Sequence, residues 1–171
     1  MVEQTKYEIE KAAGNIEIRK YQRMMLATVY GLPDNTAFSM LFDYIAGNNR
    51  SRRKIQMTTP VISSEKIAMT APVISDNRSF SFALPSDFDV DSTPEPLDEK
   101  VRVEEVRARR VAVIRFRGRA RARDISERTS ELISFSAKQG LRTKGEPFLM
   151  RYNPPFMPGF LRRNEVGIEL E

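Results

Sequence analysis

The side chains able to do chemistry in this chain are few in kind, because its 171 residues include neither histidine nor cysteine. Histidine is the usual general base near neutral pH and the commonest metal ligand. Cysteine supplies thiolate nucleophiles, thiolate metal ligands and disulfides. What remains is arginine for binding anions, carboxylates for proton transfer, and tyrosine or methionine as weaker metal ligands. This set of side chains favours binding over covalent catalysis.

Arginine is concentrated in one part of the sequence. The segment from Arg102 to Arg128 holds ten arginines and four acidic residues, a local charge of +6, whereas residues 85–100 carry a local charge of −5. Three of the arginines alternate along the chain: Arg115, Arg117 and Arg119. On a strand they would share one face, and we expect a solvated strand edge that pairs with the acidic segment. Only Phe116 is interleaved with them. Binding of nucleic acid typically uses aromatic side chains between the cations, on which bases stack, so the pattern does not favour that function.

The carboxylates do not form a recognisable catalytic or metal-binding pattern. Asp87, Asp89 and Asp91 imitate the start of a calcium loop, but Ser92 stands where glycine is needed and prolines follow. Three glutamates lie near predicted elements without pairing with one another: Glu131, Glu165 and Glu169. The sequence has no glycine-rich phosphate loop and no nucleophile elbow. We therefore predict that the chain is not an enzyme and holds no metal site of its own.

The elements that must position these groups alternate between strand and helix patterns. Residues 7–18 read as two short strands around a Gly14-Asn15 turn, and residues 24–30 as a buried strand. Four apolar residues then recur at helical spacing and share one helix face: Phe38, Leu41, Phe42 and Ile45. Pro33, Asp34 and Asn35 are expected to begin this helix and Gly47 to end it. The stripe predicts a helix that packs on a sheet and leaves an apolar edge exposed to a flat ligand.

The second half of the chain repeats this order. Residues 67–73 are extended, and Pro72 predicts a strand end or edge there. Asp124 and Glu127 suggest a capping box at the start of a second helix that ends near Gly140, and strands follow it. Five spaced positions match between the halves at one constant offset: Ile16, Ile18, Tyr21, Ala27 and Val29 with Val101, Val103, Val106, Ala112 and Ile114. The match predicts one α+β domain over residues 1–171, built from two duplicated halves.

Several motifs resemble the SOUL family of haem-binding proteins. Residues 55–61 (IQMTTPV) and 66–73 (KIAMTAPV) are similar to the paired Met-Thr-x-Pro-Val segments of that family. The early Tyr7-Glu-Ile, the stretch from Tyr44 to Asn48 and the tail from Tyr152 to Val166 also resemble it. The resemblance implies a distorted antiparallel β-barrel with two flanking helices and pseudo-twofold halves. It also implies a shallow apolar groove that binds haem or another tetrapyrrole.

The resemblance places that groove between the first helix and the loop before the final strand. Apolar contacts are then expected from the helical stripe and from the loop residues Phe156, Met157 and Phe160. Arginine grips carboxylates in bidentate fashion, so four arginines beside these regions are candidates for the propionates. These are Arg52, Arg53, Arg162 and Arg163. The segment from Arg163 to Glu165 could instead be a structural staple.

The sequence offers only weak candidates for an axial ligand to iron. Without histidine or cysteine, an axial ligand would have to be tyrosine or methionine, and Tyr30, Tyr44 and Tyr152 are the candidates. Met57, Met69 and Met150 are expected in the core. A site of this kind would hold haem mainly by apolar contact and propionate pairing. This predicts reversible binding by a carrier or buffer.

A second reading concerns GyrI-like effector-binding domains, which resemble the same duplicated fold. Many of them carry a buried glutamate on the strand that corresponds to residues 148–152, which here reads FLMRY. The missing acid lowers the expectation of a sensor for cationic drugs, but the alternative stays open. The sequence has no apolar stretch long enough to span a membrane and no signal region at its start, so we expect a cytoplasmic protein. The oligomeric state is left open.

Overall fold

A computed structural model describes residues 2–52, 64–154 and 156–171. It shows an α+β fold in which two helices and a short 3-10 helix (Gly159–Leu161) accompany strands. The helices are α1 (Asp34–Ala46) and α2 (Ala122–Lys138). The strands of the first half are β1 (Glu3–Gln4), β2 (Tyr7–Ala13), β3 (Ile16–Tyr21), β4 (Met24–Tyr30), β5 (Asn49–Arg50), β6 (Thr70–Ser75) and β7 (Ser79–Ala83). Those that follow are β8 (Glu95–Pro96), β9 (Val101–Val106), β10 (Arg109–Arg117), β11 (Thr143–Arg151) and β12 (Arg163–Leu170).

The main sheet has a symmetric strand order. Its strands run β2-β3-β10-β12-β11-β6-β7-β4-β9, and β1 pairs in parallel with β6. If β2 is left out, the strand order is symmetric about the β11–β6 pair. By this symmetry β3 corresponds to β9, β10 to β4, and β12 to β7. The helices follow β4 and β10, which correspond to each other. The predicted duplication is therefore present as a pseudo-twofold arrangement.

The predicted closed barrel is not observed. In the part of the chain that the structure describes, β2 and β9 form the two ends of the sheet and do not pair with each other. The sheet is nevertheless strongly curved, because Tyr21 on β3 reaches Met150 on β11, with a hydroxyl-to-sulfur distance of 3.8 Å across two intervening strands. The fold is an open sheet that curls toward a barrel.

Most predicted elements are confirmed, with corrections at three places. Helix α1 begins at Asp34 after Pro33, so that Asp34 lies in the first turn and does not cap the helix by a side-chain bond. Helix α2 begins one turn earlier than predicted, because the Asp124 carboxylate accepts a bond from the Arg121 backbone N–H at 3.1 Å. Pro72 lies within β6, a central strand, where an irregularity in the register with β7 accommodates it. Residues 53–63, which include the first Met-Thr-x-Pro-Val segment and Met57, lie outside the described residues.

The core is divided by the sheet into an outer and an inner part. Successive residues of a strand point to opposite faces. On the outer face, one apolar cluster lies under α1 and contains Phe82, and a second lies under α2 and contains Leu132. The inner cluster draws Tyr21, Met150 and neighbouring residues from both halves. Both helices therefore cover one face of the sheet, while the other face curls around its own side chains.

A buried ion pair lies within this inner face. Arg19 on β3 donates to both carboxylate oxygens of Glu165 on β12, at 2.8 and 2.6 Å, and both side chains are fully buried. The guanidinium also bonds Glu17 at 2.7 Å and stacks on the Tyr7 ring at 4.1 Å. Arg163 donates to Glu165 from the other side at 3.0 Å. Because buried charges are tolerated only when their partners satisfy them, this network fixes the relative positions of β3, β10 and β12.

The electrostatics of the pair keep it charged across the physiological range. Burial alone would raise the pKa of Glu165, but the hydrogen bonds and positive charge of Arg19 outweigh burial and lower the pKa to about 2. Burial would lower the pKa of Arg19, and the bond to Glu165 raises it instead. A carboxyl whose pKa is lower in the folded than in the unfolded state stabilises the fold above its unfolded pKa. That stabilisation is lost as the pH falls from about 4.5 toward 2.

We expect Glu165→Gln to lower the free energy of unfolding by roughly 3–5 kcal/mol at neutral pH, because the substitution removes the fully buried, bidentate counter-charge of Arg19 and leaves Glu17 as its remaining partner among the described carboxylates. The difference between the two proteins should shrink as the pH falls from 4.5 toward 2, and urea unfolding at several pH values measures it. Glu169→Gln is the control, since Glu169 pairs with Arg109 at 3.5 Å in a partly exposed position. It should cost no more than about 1 kcal/mol. Equal effects of the two substitutions would contradict the assignment.

Candidate functional site

An apolar cleft lies on the outer face of the sheet, beside α1 and over the central strands. Its volume is about 250 Å³. The cleft brings together residues from the N-terminus, α1, the segment before β6, β6 itself, β7, and the end of β11 with the chain that follows it. Its described lining residues are Val2, Phe38, Met69, Thr70, Ala71, Val73, Phe80, Arg151, Tyr152, Asn153 and Pro154. The first helix and the chain that follows β11 thus meet in one cleft, whereas the family resemblance placed the loop contacts at Phe156, Met157 and Phe160.

Phe38 forms the wall of the cleft on the α1 side. Its ring packs edge-on against Phe82 at a centroid distance of 5.2 Å and lies 6.3 Å from Phe42 in a stacked arrangement. About a third of Phe38 remains exposed, and half of Phe42 does. The core therefore holds the Phe38 ring in place while one face of it stays available to a ligand.

Arg151 is the only charged side chain among the described residues that line the cleft. It stands at the end of β11 and lies 3.7 Å from Asp34 at the start of α1, with both side chains partly exposed. Arg151 also borders a second cavity of about 260 Å³ between the start of α1 and the first turns of α2, near Ile125 and Thr129. The two cavities thus lie at either side of a cation over the pseudo-twofold seam.

The structure separates the predicted helical stripe into two pairs. Leu41 is fully buried and Ile45 is 6% exposed, and both belong to the core under α1. They support the helix from within and have no surface to offer a ligand. Phe38 lines the cleft, and Phe42 lies next to it on the exposed edge. The division follows from helix geometry, because a stripe four residues wide spans more than the contact with the sheet.

The predicted lid residues lie near the cleft in the chain but do not line it. Tyr152 to Pro154 belong to the lining, whereas Phe156 and Phe160 are 88% and 75% exposed. Met157 is half-buried, and its carbonyl accepts a bond from the Arg162 Nε at 2.8 Å. The chain leaves the cleft after Pro154 and runs to the turn between β10 and α2.

The predicted propionate arginines are not gathered at the cleft. Arg52 is exposed and borders a different cavity of about 360 Å³, formed with the segment around Val90 to Pro96, and Arg53 lies outside the described residues. Arg162 bonds the Met157 carbonyl. Arg163 bonds Glu165 and lies over the Tyr152 ring at 4.1 Å, so it acts as the staple that the sequence offered as its alternative role. Arg151 occupies the position at the cleft for which these four were proposed.

The candidate tyrosines are poor iron ligands in this arrangement. Tyr44 is buried and donates to the Pro94 carbonyl at 2.6 Å, and Tyr30 donates to the Glu104 carboxylate at 2.6 Å. That carboxylate raises the pKa of Tyr30 to about 12. Tyr152 lines the cleft, but burial and the nearby charges of Tyr21 and Glu165 raise the pKa of its hydroxyl. All three are held as neutral phenols, whereas ferric iron prefers a phenolate oxygen.

Sequence reasoning missed Arg151 and the strand residues Met69, Val73 and Phe80. Met69 was expected in the core and is only partly buried. The signal for Arg151 was available in the alternation of β11, where Leu149 and Arg151 point to the helix face and Met150 points inward. When a charged residue follows a buried one on the same face of a strand, the change marks the edge of the surface that a helix covers.

The described residues that line the cleft include no carboxylate. Among the described residues no group of three or more carboxylates could hold a metal ion. Glu165 is the fully buried glutamate, and its pairing with Arg19 and its low pKa leave it no proton to transfer near neutral pH. An apolar cleft with one cation at its border suits a flat, apolar ligand that carries a negative charge.

A duplicated α+β domain with a small-molecule cleft at its seam defines a class of ligand-binding proteins. Within this class, the SOUL heme-binding protein family matches residues 2–169 of the 171, and the chain belongs to that family. No curated protein sequence matches the chain. No helix in the described ranges is long and apolar enough to cross a membrane.

Solved structures share the fold at low sequence identity. A hydrolase from Listeria innocua is 12% identical, with a TM-score of 0.59, and the match covers 95% of this chain and 94% of that one. The EcmrR C-terminal domain is 12% identical, with a TM-score of 0.59 and coverage of 96% and 98%. EcmrR in complex with DNA is 10% identical, with a TM-score of 0.56, and the match covers 91% of this chain and 57% of that one. At these identities the likeness shows the fold alone.

Neighbouring residues of α1 give a direct test of the division between core and cleft edge. Leu41→Ala should lower the free energy of unfolding by about 2–5 kcal/mol, because it leaves a cavity under α1. Phe42→Ala should change it by less than about 1 kcal/mol, because half of that side chain is already in solvent. Urea unfolding of both variants measures the difference. A large loss for Phe42→Ala would show that α1 buries a different face.

Proposed function

We propose that the protein binds haem or a related tetrapyrrole reversibly in the apolar cleft beside α1, as a carrier or buffer and without an axial histidine. The observation that carries this proposal is the lining of the cleft, which combines aromatic and aliphatic side chains with one cation, Arg151. A porphyrin offers two apolar faces and carboxylates at one edge. Membership of the SOUL heme-binding protein family supports the same ligand class.

The size of the cleft supports partial enclosure of such a ligand. Its 250 Å³ lies below the roughly 300–1,000 Å³ of sites that bury most of a drug-sized molecule. A porphyrin would rest one face against Phe38 and the partly buried Met69 and Val73, and leave much of the other face to solvent. Binding then depends on apolar contact and on the Arg151 charge, which favours release as well as capture. Arg151 can take up a propionate because its present partner, Asp34, lies 3.7 Å away at a partly exposed position.

The remaining predicted contacts stay proposals of the same site. Phe42 extends the Phe38 surface along α1, and Phe156, Met157 and Phe160 would cover the ligand if the chain after Pro154 folds over the cleft. In such an arrangement Arg162 would approach the ligand edge together with that chain. The lid therefore requires a rearrangement on binding, which the exposure of Phe156 and Phe160 permits.

A second candidate function is small-molecule sensing, which the shared fold of the EcmrR C-terminal domain favours. The same cleft would then receive the effector. No carboxylate is among its described lining residues, so a cationic effector would lack a counter-charge and would face Arg151 instead. The charge of the cleft thus favours anionic over cationic ligands within either function.

A hemin titration followed by Soret absorbance tests the proposal, with protoporphyrin IX and a cationic amphiphilic dye titrated in parallel. We expect saturable one-to-one binding of hemin and of the iron-free ring with similar affinity, because no strong axial ligand is available. The cationic dye should bind more weakly. Dye binding that is tighter than porphyrin binding would favour the sensor, and the absence of saturable hemin binding at micromolar protein would reject the tetrapyrrole proposal.

Two substitutions locate the site within that titration. Phe38→Ala removes the aromatic wall, and Arg151→Gln removes the charge that faces the propionates. We expect each to weaken hemin binding by roughly tenfold, which corresponds to one lost charge-assisted bond or ring contact. Arg142→Gln is the matched control, since Arg142 is exposed and belongs to neither cleft cavity. If Arg142→Gln weakens binding as much as Arg151→Gln does, the charge of the protein as a whole is responsible and the cleft assignment is wrong.

A further inference from the structure

Three large apolar side chains project from one loop at the end of the sheet where β12 begins. Phe156, Phe160 and Leu161 are 88%, 75% and 46% exposed, and we call the segment 156–161 the aromatic loop. Large apolar side chains exposed together mark an interaction surface, whereas single ones are ordinary. The cleft beside α1 uses none of these three in the structure.

The aromatic loop is held in a defined shape, so the exposure of its side chains is a feature of the fold. The Met157 N–H donates to the Pro154 carbonyl at 3.1 Å, and the Leu161 N–H donates to the Pro158 carbonyl at 2.9 Å. The Arg162 side chain donates a hydrogen bond to the Met157 carbonyl. These bonds satisfy the loop backbone locally and leave the rings of the loop pointing into solvent.

A cationic turn lies directly against the aromatic loop. We call residues 117–121, between β10 and α2, the arginine turn. The Arg119 side chain lies across Gly159, where an added Cβ would stand 2.6 Å from the Arg119 Cγ. The Gly118 N–H donates to the Arg162 carbonyl at 3.2 Å, and the Gly118 carbonyl accepts a bond from Asn164 at 2.7 Å. The two segments therefore form one surface.

The arginines of this turn carry uncompensated charge. Arg117, Arg119 and Arg121 are exposed, and within the described ranges none of them has a carboxylate within ion-pair distance. The other arginines of the basic segment behave differently, since Arg115 pairs with Glu17 and Glu165, and Arg123 pairs with Glu127. β10 is an interior strand, and its arginines do not pair with the acidic segment as the sequence suggested. That segment instead contacts α1, where Tyr44 and Asn48 bond residues 94 and 97.

We propose that the aromatic loop and the arginine turn together dock the protein on an anionic lipid surface. Apolar side chains at a loop tip can enter the boundary between headgroups and acyl chains, while neighbouring arginines bind the lipid phosphates. Arginine suits this position because its guanidinium pairs with phosphate and its stem covers apolar surface. Phe156 and Phe160 are also the residues proposed to cover a tetrapyrrole, but none of the residues that line the cleft takes part here, so vesicle binding of the apo-protein tests this proposal separately.

The arrangement favours lipid over nucleic acid. Stacking on bases requires aromatic rings interleaved with the cations along a groove. Here Phe160 and Leu161 project from a separate loop, and Leu161 offers an aliphatic side chain on which a base cannot stack. The opposite charge of residues 85–100, on the half that carries α1, would orient the molecule so that the arginine turn faces an anionic membrane.

Cosedimentation of the apo-protein with phospholipid vesicles tests the proposal. One set of vesicles is phosphatidylcholine alone, and the other contains about a quarter phosphatidylserine. We expect binding to the anionic vesicles, weak or no binding to the neutral ones, and loss of binding in about 0.5 M salt, where charges are screened within a few ångströms. Failure to bind anionic vesicles, or equal binding to both sets, would overturn the proposal.

Matched variants separate this surface from the general basicity of the chain. Arg117→Glu with Arg119→Glu should weaken vesicle binding by roughly tenfold or more. Arg107→Glu with Arg142→Glu makes the same change in net charge at exposed positions near the other end of β10 and should have a much smaller effect. Equal effects of the two pairs would mean that only net charge matters, and the proposal would fail.

The apolar part of the surface has its own test. Phe156→Ser with Phe160→Ser should also weaken vesicle binding by about tenfold, whereas Val90→Ser with Leu97→Ser, at exposed positions in the acidic segment, should not. Thermal unfolding of each variant should match that of the unaltered protein, because all four side chains are exposed. An unchanged affinity of the phenylalanine variant would overturn the proposal. Tighter binding of a single-stranded oligonucleotide than of anionic vesicles, through the same arginines, would replace the lipid by nucleic acid.

Discussion

The buried pair of Arg19 and Glu165 is the interaction on which the curled sheet depends. It joins β3 to β12 across β10 on the inner face, with two hydrogen bonds of 2.8 and 2.6 Å and no exposure of either side chain. The burial pattern of each strand determines which side chains face the core, and a bidentate pair adds a contact that forms only when both strands stand in one alignment. Arg163 and Tyr7 complete the network. Since Arg163 also covers Tyr152, the inner network extends to the chain that lines the cleft on the outer side.

The position of the cleft follows from the symmetry of the sheet. Each half supplies one helix to the outer face, and the helices stand over their own halves. The central strands β6 and β11 therefore remain only partly covered on that face, and Val73 and Arg151 meet there in register. A duplicated fold of this kind generates a groove at its seam without any residue having to be placed for that purpose. The side chains along the groove then decide what it binds.

Local patterns in the sequence were sufficient for the elements and for the duplication. The stripe from Phe38 to Ile45 and the alternation in residues 24–30 each identify an element because the period of burial is short. The family membership likewise rests on motifs that can be read directly. Closure of the sheet could not be predicted in the same way, because whether β2 and β9 pair depends on the curvature of the whole sheet. The prediction that Pro72 lies at a strand end or edge was wrong, because a bulge in the register allows proline within a central strand.

The residues that line the cleft were predicted less well than the elements. Phe38 was identified from its helical spacing, but nothing in that spacing distinguishes it from Leu41, which the same helix buries. Arg163 was proposed for a ligand because it follows an apolar loop, and it is instead bound to Glu165, 146 residues away from the Arg19 that shares this carboxylate. Contacts over such separations depend on the fold as a whole. The Arg151 position depends on it too, because the fold brings the end of β11 to the start of α1, where Arg151 lies 3.7 Å from Asp34.

The strand order also shows that the two halves of the chain exchange strands. β3 of the first half pairs with β10 of the second, and β4 pairs with β9, so each half lends strands to the other. Only three residue pairs join β6 to β11 at the seam, whereas the exchanged strands make the longer ladders. The arrangement is that of an intertwined, domain-swapped homodimer whose two copies have been joined into one polypeptide. Within one chain the two halves can differ in sequence: the helix of one half carries Phe38 and Phe42, while the other half carries the arginine turn.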